Sequence, residues 1–384
     1  MKSEDIISIP RSKIGDIGRI AYEYPDVANL AFGESDFPPP ERARAALIDA
    51  VAALDTRYVD SRGRLSLRQD IAHYLSRLHR FPVGEDRILV MASGMAAISV
   101  AFASVLRAGD RVVIHEPEWP NLAAAALARG ACVTRIALDV DGAGGFRLNL
   151  EKLEAVLSDA RAFCLNSPNN PTGWMATAAE IGAILDLCRR HRVWLISDEV
   201  YSRLTYDGAE AAPSLLDIAS PRDRVMVANS VSKTWAMTGF RVGWLVVPEG
   251  TRDTIGELTE ATHSSVAPFS QEAARAALAD KEFVDEFRSF CARGQGVAAA
   301  ALTDLSRVKY RPPMGGFYLF IQVEGIQDSL ELARYLAVKH KIAVAPGVAF
   351  GTAGEGYLRL CFAQSVSTLT VAMDRLRAGL VSLA

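Results

Sequence analysis

Short apolar runs alternate with amphipathic stretches from about residue 41 to residue 250. The runs Ile88-Leu89-Val90-Met91, Val112-Val113-Ile114, Phe163-Cys164-Leu165, Val193-Trp194-Leu195-Ile196 and Val225-Met226-Val227 show no polar alternation. Strands covered by helices on both faces read this way. Between them, Leu67, Ile71, Tyr74, Leu75 and Leu78 recur at helical spacing. Thr177-Ala178-Ala179-Glu180 reads as a capping box, opening a helix with Ile181, Ile184, Leu185 and Cys188 on one face. The pattern predicts an α/β fold with a mainly parallel sheet flanked by helices. From about residue 281 the texture changes. Phe283 to Leu302 reads as one long helix. It is followed by Gly315-Gly316-Phe317-Tyr318-Leu319-Phe320-Ile321, a helix near 328–340 and the strand-like Tyr357-Leu358-Arg359-Leu360-Cys361-Phe362. These predict a second, smaller α/β domain. Residues 1–40 hold Pro10, Pro25 and Pro38-Pro39-Pro40 and have weak periodicity, so they read as an arm crossing into the smaller domain. The expected division is 1–40 for the arm and part of the small domain, 41–285 for the large domain and 286–384 for the small domain.

The informative segments are those immediately after the apolar runs. Ser93-Gly94-Met95 comes after the first and Glu116-Pro117-Glu118-Trp119-Pro120 after the second. Asn166-Ser167-Pro168-Asn169-Asn170-Pro171-Thr172-Gly173 comes after the third and Asp198-Glu199-Val200-Tyr201 after the fourth. Asn229-Ser230-Val231-Ser232-Lys233 comes after the fifth, with Arg241 eight residues beyond the lysine. In parallel α/β sheets ligands bind beyond the carboxyl ends of the strands. Five unusual loops are therefore expected to converge on one edge of one sheet.

Charge and cysteine content narrow the function classes. The chain carries 42 basic and 45 acidic residues, a formal net charge of −3. That balance argues against nucleic-acid or membrane-surface binding, which need a basic excess. No apolar run is long enough to span a bilayer. The five cysteines form no CxxC pair and no metal spacing, so they read as buried reduced thiols, with no metal expected. The start Met1-Lys2-Ser3-Glu4-Asp5 has early acids and no long apolar stretch, which reads as no signal peptide and a cytoplasmic location.

A lysine in a polar loop is ordinarily a solvated charge. Lys233, flanked by hydroxyls and followed by an arginine, instead suits a covalent Schiff base to an aldehyde cofactor with a phosphate held nearby. Asn-Pro-Thr-Gly, Asp-x-x-Tyr, Ser-x-Ser-Lys with its downstream Arg and the late Arg359 stand in an order that resembles the class I/II aminotransferases. These form the aspartate-aminotransferase-like branch of fold-type I pyridoxal-phosphate enzymes. The resemblance runs from Gly33 through Arg359.

It implies pyridoxal 5′-phosphate as cofactor and Lys233 as the Schiff-base lysine, which also shuttles the proton. Asp198 would pair with the pyridine nitrogen, keeping it protonated so that the ring acts as an electron sink. Tyr201 and Asn170 would donate to the cofactor's phenolate oxygen, Pro171 and Gly173 would set the turn that places Asn170, and Trp119 would stack on the ring. Ser93, Gly94 and Met95, at the start of a helix running to Leu106, would form the phosphate site with Ser230, Ser232 and Arg241. Met95 departs from the hydroxyl or lysine often found there. Tyr58 resembles the tyrosine that reaches the neighbouring subunit's phosphate, which implies at least a homodimer. Arg359 would grip the substrate α-carboxylate. Gly33 would line the substrate site by backbone, with Ile14 covering it as a lid residue.

The implied reaction moves an amino group from an L-amino acid to a 2-oxo acid by a ping-pong mechanism. An alternative keeps the cofactor for lyase, synthase, decarboxylase or oxidase chemistry. A ligand-sensing regulatory domain is disfavoured by the intact Lys233. Nicotinamide binding is disfavoured because Gly142-Ala143-Gly144-Gly145 lacks the GxGxxG spacing. Dicarboxylate-specific members carry a second arginine near a Ser-Asn-Pro-like segment. Here the region reads Thr262-His263-Ser264-Ser265-Val266-Ala267-Pro268, without arginine or asparagine. Lys13, Arg11 or His263 are the remaining candidate cations for a distal carboxylate.

Overall fold

The structure, a computed structural model, describes residues 9, 11–79 and 81–383. The acidic start Met1–Asp5 and Pro10, read above as part of the arm, lie outside the described residues. Seven strands form the large sheet in the order Ile88–Met91, Gly243–Val246, Val225–Ser230, Trp194–Asp198, Ala162–Asn166, Arg111–Glu116 and Cys132–Ala137. All neighbours pair in parallel except Gly243–Val246, which runs antiparallel to both strands beside it. The five apolar runs are therefore strands of one sheet, as their lack of polar alternation predicts.

Alternate side chains serve two apolar layers. Leu89, Met91, Val112, Ile114, Cys164, Ile196, Met226 and Leu245 pack with Ile98 and Phe102 on one face. Ile88, Val90, Val113, Phe163, Leu195, Val227 and Trp244 pack with Leu67, Ile71, Ile181 and Ile184 on the other. Each strand residue is thus removed from water, the dominant favourable term in folding. The capping box is present. Thr177 Oγ1 accepts from the Glu180 N–H at 3.2 Å, and the Glu180 carboxylate accepts from the Thr177 N–H at 2.8 Å.

The antiparallel strand Gly243–Val246 is an addition to the sequence reading. Its run is apolar, but it begins just after the Lys233 segment and reads as part of that motif. The sheet folds back there: Gly243 pairs with Ser230 and Val246 with Val227. Both ends of the Lys233 segment are thereby tied to the same sheet edge. Cys132 also differs from expectation. It is exposed, because it opens the edge strand Cys132–Ala137, which pairs on one side only; the other four cysteines are free and buried.

A second sheet is antiparallel throughout, in the order Val308–Lys309, Tyr318–Val323, Tyr357–Cys361 and Ala345–Pro346. The helix Lys281–Leu302 crosses the expected 285/286 boundary without a break and packs against Val366–Val381. Residues Ala28–Asn29 pair in parallel with Ile342–Ala343, and Lys13–Glu23 packs on the helix Ser329–Lys339. The early segment therefore crosses into the later part of the chain. Asp141–Gly145 forms the turn of a small hairpin rather than the mouth of a helix. No described helix is long and apolar enough to cross a membrane.

Gly243 holds the large sheet against the loop at Ser93. A Cβ placed on it would lie 2.6 Å from the Ser93 carbonyl carbon and 2.8 Å from both the Gly94 nitrogen and the Asn229 oxygen. All three are backbone atoms, so relief requires moving a strand or a helix start. Gly243→Ala is expected to cost about 1–3 kcal/mol, the usual size of core overpacking, read as a lowered thermal midpoint of the cofactor-free protein.

Candidate active site

The carboxyl ends of the strands open into a cavity of about 200 Å³. Gly33, Ser93, Gly94, Met95, Trp119, Asn170, Asp198, Tyr201, Ser230, Ser232, Lys233 and Arg241 line it, as the sequence predicts. So do Asn166, Val200, Thr238 and Tyr318, which sequence reasoning did not assign to the site. Asn166 stands directly at a strand end in a loop already singled out, a signal that was available. Tyr318 comes from the second sheet, and its neighbours in sequence read only as a strand.

The anion end is built from backbone and hydroxyls. Ser93 caps the helix Gly94–Val105, its Oγ accepting from the Ala96 N–H at 2.9 Å. Ser230 Oγ accepts from the Ser232 N–H at 3.3 Å, turning the chain from strand into the short helix that carries Lys233. Arg241 sits in left-handed backbone conformation, φ 58°, and donates to the Thr238 carbonyl at 2.6 Å. Helix-start N–H groups, hydroxyls and a guanidinium together suit a phosphate.

Two charged groups share the interior. Asp198 ends its strand, and its carboxylate accepts only a long 3.3 Å bond from the Val200 N–H. Burial pushes its pKa up to about 7; the neighbouring Glu199 adds to this, while the Val200 N–H and Lys233 oppose it. The Lys233 ammonium donates to the Gly33 carbonyl at 2.5 Å. Burial pulls its pKa down to about 8, with Arg359 adding to the shift and Cys361, Glu34 and Asp198 opposing it. On the strand two removed from that of Asp198, burial keeps His115 neutral with a pKa of about 4, and its Nε2 accepts from the Asn166 N–H at 3.1 Å.

Asn170 is fixed by the loop that carries it. Its N–H donates to Asn166 Oδ1 at 2.8 Å, while the Thr172 N–H and hydroxyl both donate to Asn169 Oδ1. Gly173 adopts φ 68°, and a Cβ there would meet Pro313 Cβ at 2.2 Å. Asn170 Oδ1 accepts from Arg359 at 2.9 Å. Arg359 lies just behind this wall, 1% exposed, and also donates to the Ala31 carbonyl. Its Nε has no partner, a donor left over inside a buried cation.

Two assigned residues are not brought to the cavity. Ile14 is a buried core residue on Lys13–Glu23, a helix whose packing partners lie in the second sheet's layer, and it is not part of the cavity lining. Tyr58 is 90% exposed and borders a separate surface groove with Asp60, Arg62, Glu260, Ser264 and Ser265. The candidate distal cations are absent from the lining too. Arg11 pairs with Asp16, and burial lowers the pKa of His263, whose two ring nitrogens have no partner. Lys13 opens the first helix. Among the described residues no cluster of His, Cys, Asp or Glu could hold a metal ion.

The donor set fits pyridoxal phosphate. The cavity offers an anion cradle at one end and an amine with a lowered pKa. It also offers a buried carboxylate that no cation pairs with among the described residues. A phosphate, an aldehyde and a ring nitrogen able to carry a proton would meet these in turn.

Comparison with known proteins agrees. Residues 25–376 match the family described as aminotransferase class I and II. The chain is 31% identical to an aspartate aminotransferase of Thermotoga maritima, over 98% of this chain and 98% of that protein. It is 32% identical to an arginine–pyruvate transaminase of Pseudomonas aeruginosa, over 91% of this chain and 89% of that one. The crystal structure of an aspartate aminotransferase from Thermotoga maritima superposes with a TM-score of 0.89 at 30% identity, covering 96% of this chain and 97% of that chain. With a fold, a cavity and a match that spans nearly its whole described length, the chain belongs to the class I and II aminotransferases, which are pyridoxal-phosphate-dependent enzymes.

Proposed function

We propose that this aminotransferase takes its amino group from an L-amino acid with a neutral or aromatic side chain, in preference to aspartate, and passes it to a 2-oxo acid. The observation that carries the proposal is the use of the cations. Only Lys233 and Arg241 line the cavity, and Arg359 stands directly behind it. Each has a task, so among the described residues none is left for a second substrate carboxylate. The relatives' names differ in substrate, so family membership leaves this choice to the individual cavity.

Pyridoxal phosphate, when bound, supplies the electron-withdrawing ring that lets an α-hydrogen leave as a proton and carries the amino group between the two half-reactions. The roles we propose for the chain's own residues are supported by their place around the cavity. Ser93, Gly94, Met95, Ser230, Ser232 and Arg241 hold the phosphate, with Met95 contributing backbone only. Trp119 covers one face of the ring. Asp198 would hold a proton at the ring nitrogen; burial, which raises its own pKa, would be offset by that cation beside it. Tyr201 and Asn170 donate to the phenolate oxygen. Lys233 would hold the cofactor through its aldehyde carbon, with loss of water, and once released as a free amine would move the α-proton. Arg359, hydrogen-bonded to Asn170 behind the cavity wall, would orient the α-carboxylate.

We further propose a homodimer in which exposed Tyr58 reaches the neighbouring phosphate site. Ile48, Val51, Leu54 and Leu65, exposed in the same region, support an interface there. A cytoplasmic location and the division 1–40, 41–285 and 286–384 complete the reading.

Lys233→Ala is expected to lose the covalent cofactor absorbance and turnover together. Asp198→Asn is expected to bind cofactor but lose on the order of a hundredfold or more in turnover, the usual size of a proton-holding role. Absorbance titration and steady-state assay of the two variants check this. In the cofactor-free protein, the lowered pKa makes the neutral Lys233 amine the main form above about pH 8 and the ammonium the main form below it. Competitive acylation followed by mass spectrometry should give half-maximal Lys233 labelling near that pH, well below the ordinary lysine range. For substrate choice, kcat/KM for neutral and aromatic amino acids should exceed that for aspartate. An aspartate value more than about tenfold higher than theirs, 1.4 kcal/mol in transition-state binding, would refute the proposed preference.

A further inference from the structure

Tyr318 opens the strand Tyr318–Val323 of the second sheet and is 1% exposed, yet it helps line the cavity. Two contacts define it. Its hydroxyl lies 2.8 Å from the hydroxyl of Tyr201. Its ring lies against Arg359, whose guanidinium carbon is 4.3 Å from the Tyr318 centroid and 4.8 Å from that of Phe350. The guanidinium therefore lies against two aromatic rings and is hydrogen-bonded to Asn170 and Ala31. Gly33 makes room for this arrangement, since a Cβ there would fall 1.9 Å from the Tyr318 hydroxyl oxygen.

We infer that Tyr318 is a positioning residue with two separable tasks: its ring sets the plane of the carboxylate-gripping Arg359, and its hydroxyl points the Tyr201 proton into the cavity. The inference rests on the roles proposed above for Tyr201 and Arg359. The first task follows from shape. A guanidinium binds a carboxylate in its own plane, so the partner that fixes that plane decides whether substrate meets the right edge. The ring contact also offsets part of the cost of burying the cation.

The second task follows from counting protons. Two hydroxyls hold two protons, and their mutual hydrogen bond uses one. If Tyr201 gave its proton to Tyr318, the proton left over would be that of Tyr318, and Tyr201 itself would have none to donate into the cavity. The positive charge beside Tyr318 favours the opposite sense, because it stabilises the negative charge that builds on a donating oxygen. Tyr318 then donates to Tyr201, and Tyr201 donates inward. A hydroxyl that accepts one hydrogen bond is a stronger donor of the next.

The two tasks are tested by two variants, each loaded with pyridoxal phosphate. Tyr318→Phe keeps the ring and removes the hydroxyl. It should raise the pH midpoint of the cofactor's visible absorbance change by about half a unit, roughly a threefold change in that equilibrium, and leave KM for the amino acid within about twofold. Tyr318→Leu removes the ring as well and should raise KM on the order of tenfold. An unmoved midpoint in Tyr318→Phe, with a shifted midpoint in Tyr201→Phe, overturns the hydroxyl task alone. An unmoved midpoint in both overturns the role of Tyr201 itself. A KM rise in Tyr318→Phe as large as that in Tyr318→Leu overturns the ring task. Should the leucine variant fail to fold, the phenylalanine variant still decides the hydroxyl task, and Tyr318→Met, which also lacks a ring, takes its place in the KM comparison with the same expected rise.

Discussion

Desolvation of one carboxylate and one ammonium in a common cavity is the constraint on which the site depends. Asp198 and Lys233 have opposite charges but form no ion pair with each other in the structure. Each is instead shifted towards its neutral form by removal from water. A salt bridge between them would have quenched both. The parallel sheet prevents this by delivering the two residues from different strand ends, Asp198 at the end of its strand and Lys233 one short helical turn beyond another. The apolar layers above and below the sheet keep these ends fixed while leaving the cavity between them open.

The structure also explains why Lys233 can be both held and reactive. Its segment is bounded by Val225–Ser230 on one side and the antiparallel strand Gly243–Val246 on the other. Serine caps and the left-handed conformation at Arg241 turn the chain between these anchors. The ammonium rests on a backbone carbonyl, that of Gly33, rather than on a carboxylate. A carbonyl stabilises the charge less than an anion would, so the resting contact leaves the lowered pKa in place.

Much of the large sheet and its rim was legible because it is encoded locally. A strand, its end and the loop after it are adjacent in sequence, so Ser93, Trp119, Asn170, Asp198 and Lys233 announced themselves by the runs that precede them. The capping box at Thr177 was legible for the same reason. The features that escaped depend on residues far apart in the chain. Tyr318 looked like one more strand residue, because its meaning lies in contacts with Tyr201, 117 positions earlier, and with Arg359. Ile14 carries a covering role only through the resemblance; in the fold it packs against the second sheet's layer, a contact its sequence neighbours do not reveal. The strand Gly243–Val246 was hidden by its own motif, since its first residue also belongs to the lysine segment. Tyr58 faces outward, and its proposed partner is another copy of the chain.

The contacts that complete the site span most of the polypeptide. Lys233 reaches back 200 positions to Gly33, and Arg359 reaches back 328 to Ala31. Such long-range closures are entropically expensive and form late in folding. The order of synthesis then has a chemical meaning. As the chain emerges from the ribosome, the seven-stranded sheet with Asp198 and Lys233 can assemble while the second sheet is still unmade. The half of the site that reacts is in place before the half that selects. A nascent chain at that stage would hold Lys233 with neither Arg359 nor Tyr318 beside it, and because burial and Arg359 are what lower its pKa, the amine would gain its reactivity only as the later sheet closes the cavity.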